Sequence, residues 1–123
     1  MDLLAEYRRA TMFFEAGDPT GAARLLEPIV EAEPGNSSVR QLLARAYFQS
    51  AQLTRAEEQL RELIDRDPSD HYAHHVLGRT LERLNRPVDA LRYLRIAAAM
   101  YSTNADYTAA LHRVEAKVNG GRA

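Results

Sequence analysis

Apolar residues recur at the three- and four-residue spacing of a helix face, as in Leu42, Leu43, Ala46 and Tyr47 and then in Ala56, Leu60, Leu63 and Ile64. Breakers interrupt the periodic stretches. Pro34-Gly35-Asn36-Ser37 and Asp67-Pro68-Ser69-Asp70 end one helix and offer cap side chains to the next, and Ser102-Thr103-Asn104 repeats that chemistry without proline. Gly17-Asp18-Pro19 and Asn85-Arg86-Pro87 each give a turn followed by proline near a helix start. Thr54 with Glu57 has the spacing of a capping box. Together these signals predict seven helices over residues 3–16, 19–32, 37–50, 54–66, 70–84, 87–101 and 104–118.

The helices come in pairs because the sequence repeats. Ala22, Ala56 and Ala90 are 34 residues apart, as are Leu26, Leu60 and Leu94; Ala10, Ala44 and Gly78; Phe13, Tyr47 and Leu81; and Pro34 with Pro68. Five columns at one period divide the chain into units 3–36, 37–70 and 71–104, followed by a closing helix 104–118 and a tail 119–123, with residues 1–118 as a single domain. The small residues in two of these columns permit neighbouring helices to approach to the short end of about 8–10 Å between axes. Tyr107, Leu111, Val114 and Val118 form the apolar stripe of the closing helix, whose other side is polar.

These columns resemble the tetratricopeptide repeat. That family's 34-residue unit has a small residue in its first helix, an aromatic one turn later, Ala early in its second helix and a closing Pro. The second unit matches through Leu43, Ala44, Tyr47, Ala56, Leu60 and Pro68. The third has Leu81 in place of the aromatic and Ser102 in place of the proline, the first has Arg9 in place of Leu, and Glu6, Arg40 and His74 stand where the family often has Trp. The resemblance implies an all-α fold: a right-handed superhelical α-solenoid of three helical hairpins with a C-terminal solvating helix.

It also implies a concave groove lined by the first helix of each unit. Carried over residue by residue, the groove would present Tyr7, Thr11 and Phe14, then Gln41, Arg45 and Phe48, then Tyr72, His75, Arg79 and Arg83, and finally Arg113. Arg45, Arg79 and Arg113 share one column and would form a ladder of guanidinium groups beside aromatic rings. Arg and aromatic side chains are the residue types enriched at binding hot spots. The expected partner is therefore an acidic peptide or helix of another protein, with apolar anchors toward Tyr7, Phe14 and Phe48. The alternative is that Glu82 and neighbouring carboxylates pair with the arginines internally and leave a solvated face. His75 beside an acidic ligand would tighten binding as pH falls through its ordinary value of about 6.5. The family's carboxylate clamp for chaperone tails is absent, since its places hold Tyr7, Thr11, Leu42, Tyr72 and Val76.

Composition narrows the remaining classes. The chain has 123 residues, 46% of them hydrophobic, and no Cys, which removes disulfides and thiolate metal sites. Sixteen basic and seventeen acidic residues give a net charge of -1, without the basic footprint of a nucleic-acid binder. Residues 1–34 carry three basic and seven acidic groups and residues 69–123 eight and five, so charge runs from acidic to basic. Head-to-tail self-assembly into a homo-oligomeric scaffold is the alternative function this asymmetry suggests. The longest apolar run, residues 96–101, is far short of the ~20 residues a membrane span needs, and a cytoplasmic location is expected. His71, His74 and His75 lie beside Asp67 and Asp70, but without a second ligand cluster they read as surface or interface histidines, so no metal is expected. No phosphate-binding glycine loop, dinucleotide fingerprint or nucleophile elbow occurs, so neither a cofactor nor a catalytic residue is expected.

Overall fold

The computed structural model describes residues 2–120, and within them the chain is all-helical. Its seven helices are α1 (Leu3–Glu15), α2 (Pro19–Ala32), α3 (Ser37–Gln49), α4 (Leu53–Arg66), α5 (His71–Arg83), α6 (Pro87–Met100) and α7 (Ala105–Gly120). Polar caps start most of them: the side chains of Asp2, Asp18, Asn36 and Asp70 accept first-turn N–H groups of α1, α2, α3 and α5, and Asn104 does so for α7. The Thr54–Glu57 capping box is displaced. Helix α4 begins at Leu53, with the Gln52 carbonyl accepting from Ala56 N–H, so Thr54 lies inside the first turn rather than at the cap. Helix α7 continues through Asn119 and Gly120, the first two positions of the expected tail; residues 121–123 lie outside the described residues.

The turn inside each hairpin repeats in geometry as well as in sequence. Gly17, Ala51 and Asn85, 34 residues apart, all adopt positive φ, at 85°, 60° and 62°. The N–H of the following residue reaches back to a helix carbonyl each time: Asp18 to Phe13 at 2.8 Å, Gln52 to Tyr47 at 2.8 Å and Arg86 to Leu81 at 2.9 Å. This is the Schellman closure, which favours glycine or asparagine at the left-handed position. Ala51 holds that conformation despite its Cβ.

The described residues fall into two compact units, one ending at Gln59 and the other beginning at Leu60, with the division inside α4. In the first, α2 packs against both α1 and α3, around Ala10, Ala22, Leu26, Ile29, Leu43 and Ala44. In the second, α6 packs against both α5 and α7, around Leu77, Leu81, Ala90, Leu94, Tyr107 and Val114. Gly78 marks a close approach of α5 and α6, since a Cβ there would stand 2.5 Å from Leu94 Cδ2.

Two polar residues replace the family's frequent tryptophan inside these cores. Arg40 is buried and donates to Gln59 Oε1 at 2.6 Å and to the Pro34 carbonyl at 2.9 Å. His74, one repeat later, is buried against Tyr93, the counterpart of Gln59, and its Nδ1 donates to the Asp70 carbonyl at 2.8 Å.

Candidate functional site

Each unit brings part of the expected groove set onto one face. In the first unit, Tyr7, Thr11 and Phe14 lie on α1 and Gln41, Arg45 and Phe48 on α3, all six half-buried. Helical spacing puts Tyr7, Thr11 and Phe14 on one side of α1, and the Thr11 hydroxyl turns inward to donate to the Tyr7 carbonyl at 3.0 Å. The Arg45 guanidinium lies over the Phe14 ring, 4.8 Å from its centroid. Such stacking uses the face of the guanidinium and leaves its in-plane N–H donors at the edge. Among the described residues no carboxylate pairs with Arg45. A cavity of about 380 Å³ opens beside Tyr7, walled by Leu3, Leu4, Ile29 and Val39, with Ser38 and Glu33 supplying polar groups.

The second unit differs. Arg79 and Arg83 of α5 are exposed, and Tyr72 is half-buried. Arg113 of α7, by contrast, grips Glu82 of α5 with both edges of its fork, Nε to Oε2 at 2.9 Å and Nη2 to Oε1 at 2.7 Å. Lys117, one turn along α7, adds a third donor at 2.5 Å from Oε2. The Arg113 hydrogen bonds, together with the Lys117 ammonium, hold the Glu82 carboxyl down at about 2, and the same pairing raises Arg113. Arg113 is therefore already paired with an acid of its own chain, as in the alternative stated for the ladder, whereas Arg45 is not.

His75 requires a correction. Its ring is only 6% exposed and stacks on Tyr107 of α7, with centroids 4.4 Å apart and planes 23° from parallel. Burial first, and then the positive charges of Arg79 and Arg113, push it down to about 4. The ring is neutral throughout the range in which protonation was expected to tighten binding, so that expectation fails. His71 is also drawn into this cluster, its Nδ1 sharing a hydrogen bond with the Tyr107 hydroxyl at 2.8 Å. Among the described residues no group of acidic, His or Cys side chains has the arrangement of a metal site, and no helix is long and apolar enough to cross a membrane.

Glu82 was legible in the sequence as an internal partner of the arginines rather than as a site residue, and Lys117 was not among the expected site residues. The signal was present: Glu82 falls 34 residues after Phe48 and 68 after Phe14, and Arg113 falls 68 after Arg45. The Phe14–Arg45 and Glu82–Arg113 contacts are thus the same pair of columns, two repeats apart.

A family model for the tetratricopeptide repeat matches residues 13–80. Among solved structures, the first TPR of Spaghetti (RPAP3) bound to the HSP90 peptide SRMEEVD is similar at 18% identity, covering 95% of this chain and 93% of that one, with a TM-score of 0.88. The second TPR domain of human RPAP3, in complex with the HSP70 peptide SGPTIEEVD, is similar at 20% identity over 91% and 93%, with a TM-score of 0.84. MamA from Desulfovibrio magneticus RS-1 is similar at 14% identity over 96% and 67%, with a TM-score of 0.91. At these identities the likeness is one of fold. None of the curated proteins matches the chain. With its 34-residue columns, its hairpins closed at the same point of each repeat and a family match over more than half its length, the chain belongs to the tetratricopeptide repeat family.

Proposed function

We propose that this chain is a non-enzymatic protein-interaction module that binds an acidic peptide or helix on the faces of its first helices. The observation that carries the reading is Arg45, held flat over Phe14 with its donor edges unclaimed by any described carboxylate. A guanidinium fixed in this way loses little freedom when it takes a carboxylate through two parallel hydrogen bonds. The cavity beside Tyr7, with Leu3, Leu4, Ile29 and Val39 among its walls, supplies an adjoining place for a hydrophobic side chain of the same ligand. Two structural neighbours were solved with peptides ending in EEVD, which supports an acidic ligand class. Without the family's clamp residues, this chain would recognise its ligand through Arg45 and the aromatic face instead, and chaperone tails are not its expected partners. A cytoplasmic setting goes with this reading.

Head-to-tail assembly is less well supported by the outward faces of α1 and α7. Arg8 and Arg9 are exposed on α1 in the columns where α3 buries Leu42 and Leu43, and His112 is exposed on α7 in the column where α5 buries Gly78. Charged and polar columns of this kind close a repeat stack rather than extend it.

The test is a fluorescence-anisotropy titration of a labelled hexaglutamate peptide against wild type and Arg45→Ala at low and high salt. Loss of about tenfold in affinity on Arg45→Ala, with weaker binding at high salt, is expected for an Arg hot spot. Equal affinities for the two proteins would remove Arg45 from recognition.

A further inference from the structure

We propose that Arg113 and Lys117 form a second carboxylate site, for an acidic side chain of the bound partner, and that Glu82 is an internal ligand which this side chain replaces. The proposal rests on the acidic-peptide reading above and names where, in the second unit, that ligand is held.

The repeat columns show what Glu82 does there. Positions 14 and 48 are both Phe, and Arg45 rests on Phe14 with its in-plane donors left open. At position 82 the same column supplies a carboxylate, and the arginine at position 113 has turned its edges onto it. The chain has thus placed an anion where the preceding repeats have an aromatic platform. The contact displays the chemistry of the site: a guanidinium fork and an ammonium, one helical turn apart on α7, converging on two carboxylate oxygens.

Exposure and charge both favour exchange. The Glu82 side chain is only 9% exposed because Arg113 and Lys117 cover it, while those two side chains remain 46% and 53% exposed. A partner carboxylate approaching from solvent meets the cations first. Two cations on one carboxylate leave a surplus positive charge. Exchange must first free Glu82 from its three charge-assisted hydrogen bonds, a competition that costs an acidic ligand about five- to tenfold in affinity. Glu82 therefore weakens acidic ligands without excluding them, and discriminates against those with too few carboxylates to replace it.

The experiment titrates the labelled hexaglutamate peptide against wild type, Glu82→Gln and Glu82→Phe. Glu82→Gln removes the competing charge at nearly constant shape, and Glu82→Phe restores the platform seen at Phe14. Both are expected to tighten binding about five- to tenfold at low salt, and adding Arg113→Gln to Glu82→Gln is expected to abolish the gain. Circular dichroism and thermal unfolding confirm that each variant is folded. On the unaltered protein, the Glu82 Cδ resonance is expected to move as peptide saturates. Affinities of folded Glu82 variants no higher than wild type, or an unmoved Cδ resonance at saturation, would overturn the proposal. Peptide that binds wild type through Arg45 and gains nothing from Glu82→Gln sinks this inference alone. Peptide that binds none of these proteins sinks the acidic-peptide reading with it.

Discussion

Gly78→Ala is a one-carbon change whose effect follows from the geometry of the second core. The added Cβ would lie 2.5 Å from Leu94 Cδ2, 2.6 Å from its Cγ and 3.3 Å from the Ala90 carbonyl oxygen. Carbon atoms in ordinary contact stand about 3.5–4.0 Å apart, so Leu94 must retreat by about 1 Å. Leu94 is fully buried. Overpacking of this kind costs about 1–3 kcal/mol, whereas Ala in place of Gly inside a helix returns about 1 kcal/mol. The expected net effect is a loss of up to about 2 kcal/mol, read by urea denaturation. A double-mutant cycle isolates the cause. Leu94→Ala alone should cost about 2–5 kcal/mol, but in its background Gly78→Ala should become neutral or stabilising, a coupling of about 1–3 kcal/mol. If Gly78→Ala had the same effect with and without Leu94, the close approach of α5 and α6 would not be what requires glycine.

Three further outcomes follow from the hairpin turns and the buried titratable groups. Ala51→Gly relieves an alanine held at φ 60° and should stabilise by about 0.5–1 kcal/mol, the relief of the left-handed strain outweighing the entropy of glycine; an unchanged or lower thermal midpoint would contradict the turn geometry. Glu82, held near 2 by Arg113 and Lys117, contributes stability that is present above pH 4.5 and lost as pH falls toward 2. Its share is about 1–2 kcal/mol once solvent screening of its half-exposed partners is counted, and Glu82→Gln should flatten that part of the stability profile. His75, held near 4 by burial, binds its proton first in the unfolded chain, so stability should fall by about 2 kcal/mol as pH drops from 6.5 to 4. His75→Phe, which keeps a ring against Tyr107, should remove that slope, and a slope that persists would place the titration elsewhere.

The helices were legible because their signals are local. Prolines, cap side chains and 34-residue columns fix helix starts and pairings without knowledge of tertiary contacts, and α2 follows its expected bounds to the residue. Ala51 was not legible in this way. Its left-handed backbone is imposed by the Schellman closure that Gly17 and Asn85 adopt readily, and alanine by itself signals helix. The site residues were legible as columns but not as partners. Which arginine is paired depends on how α7 is rotated against α5, and that rotation is set by Tyr107 packing on His71 and His75. The same packing buries His75 and removes it from the pH range in which an exposed histidine titrates. Arg40 and His74 interrupted the family's Trp column in sequence, and only their contacts with Gln59 and Tyr93 show how the cores accommodate them.

Arg45 stacked on Phe14 is the feature on which the proposed recognition rests, and its guanidinium Nε–H resonance reports it most directly. In the free protein the signal should be displaced by the aromatic ring current, and it should shift on titration with hexaglutamate along the same curve that anisotropy gives for binding. A peptide that saturates the protein while the Arg45 signal stays in place would contradict recognition through this face.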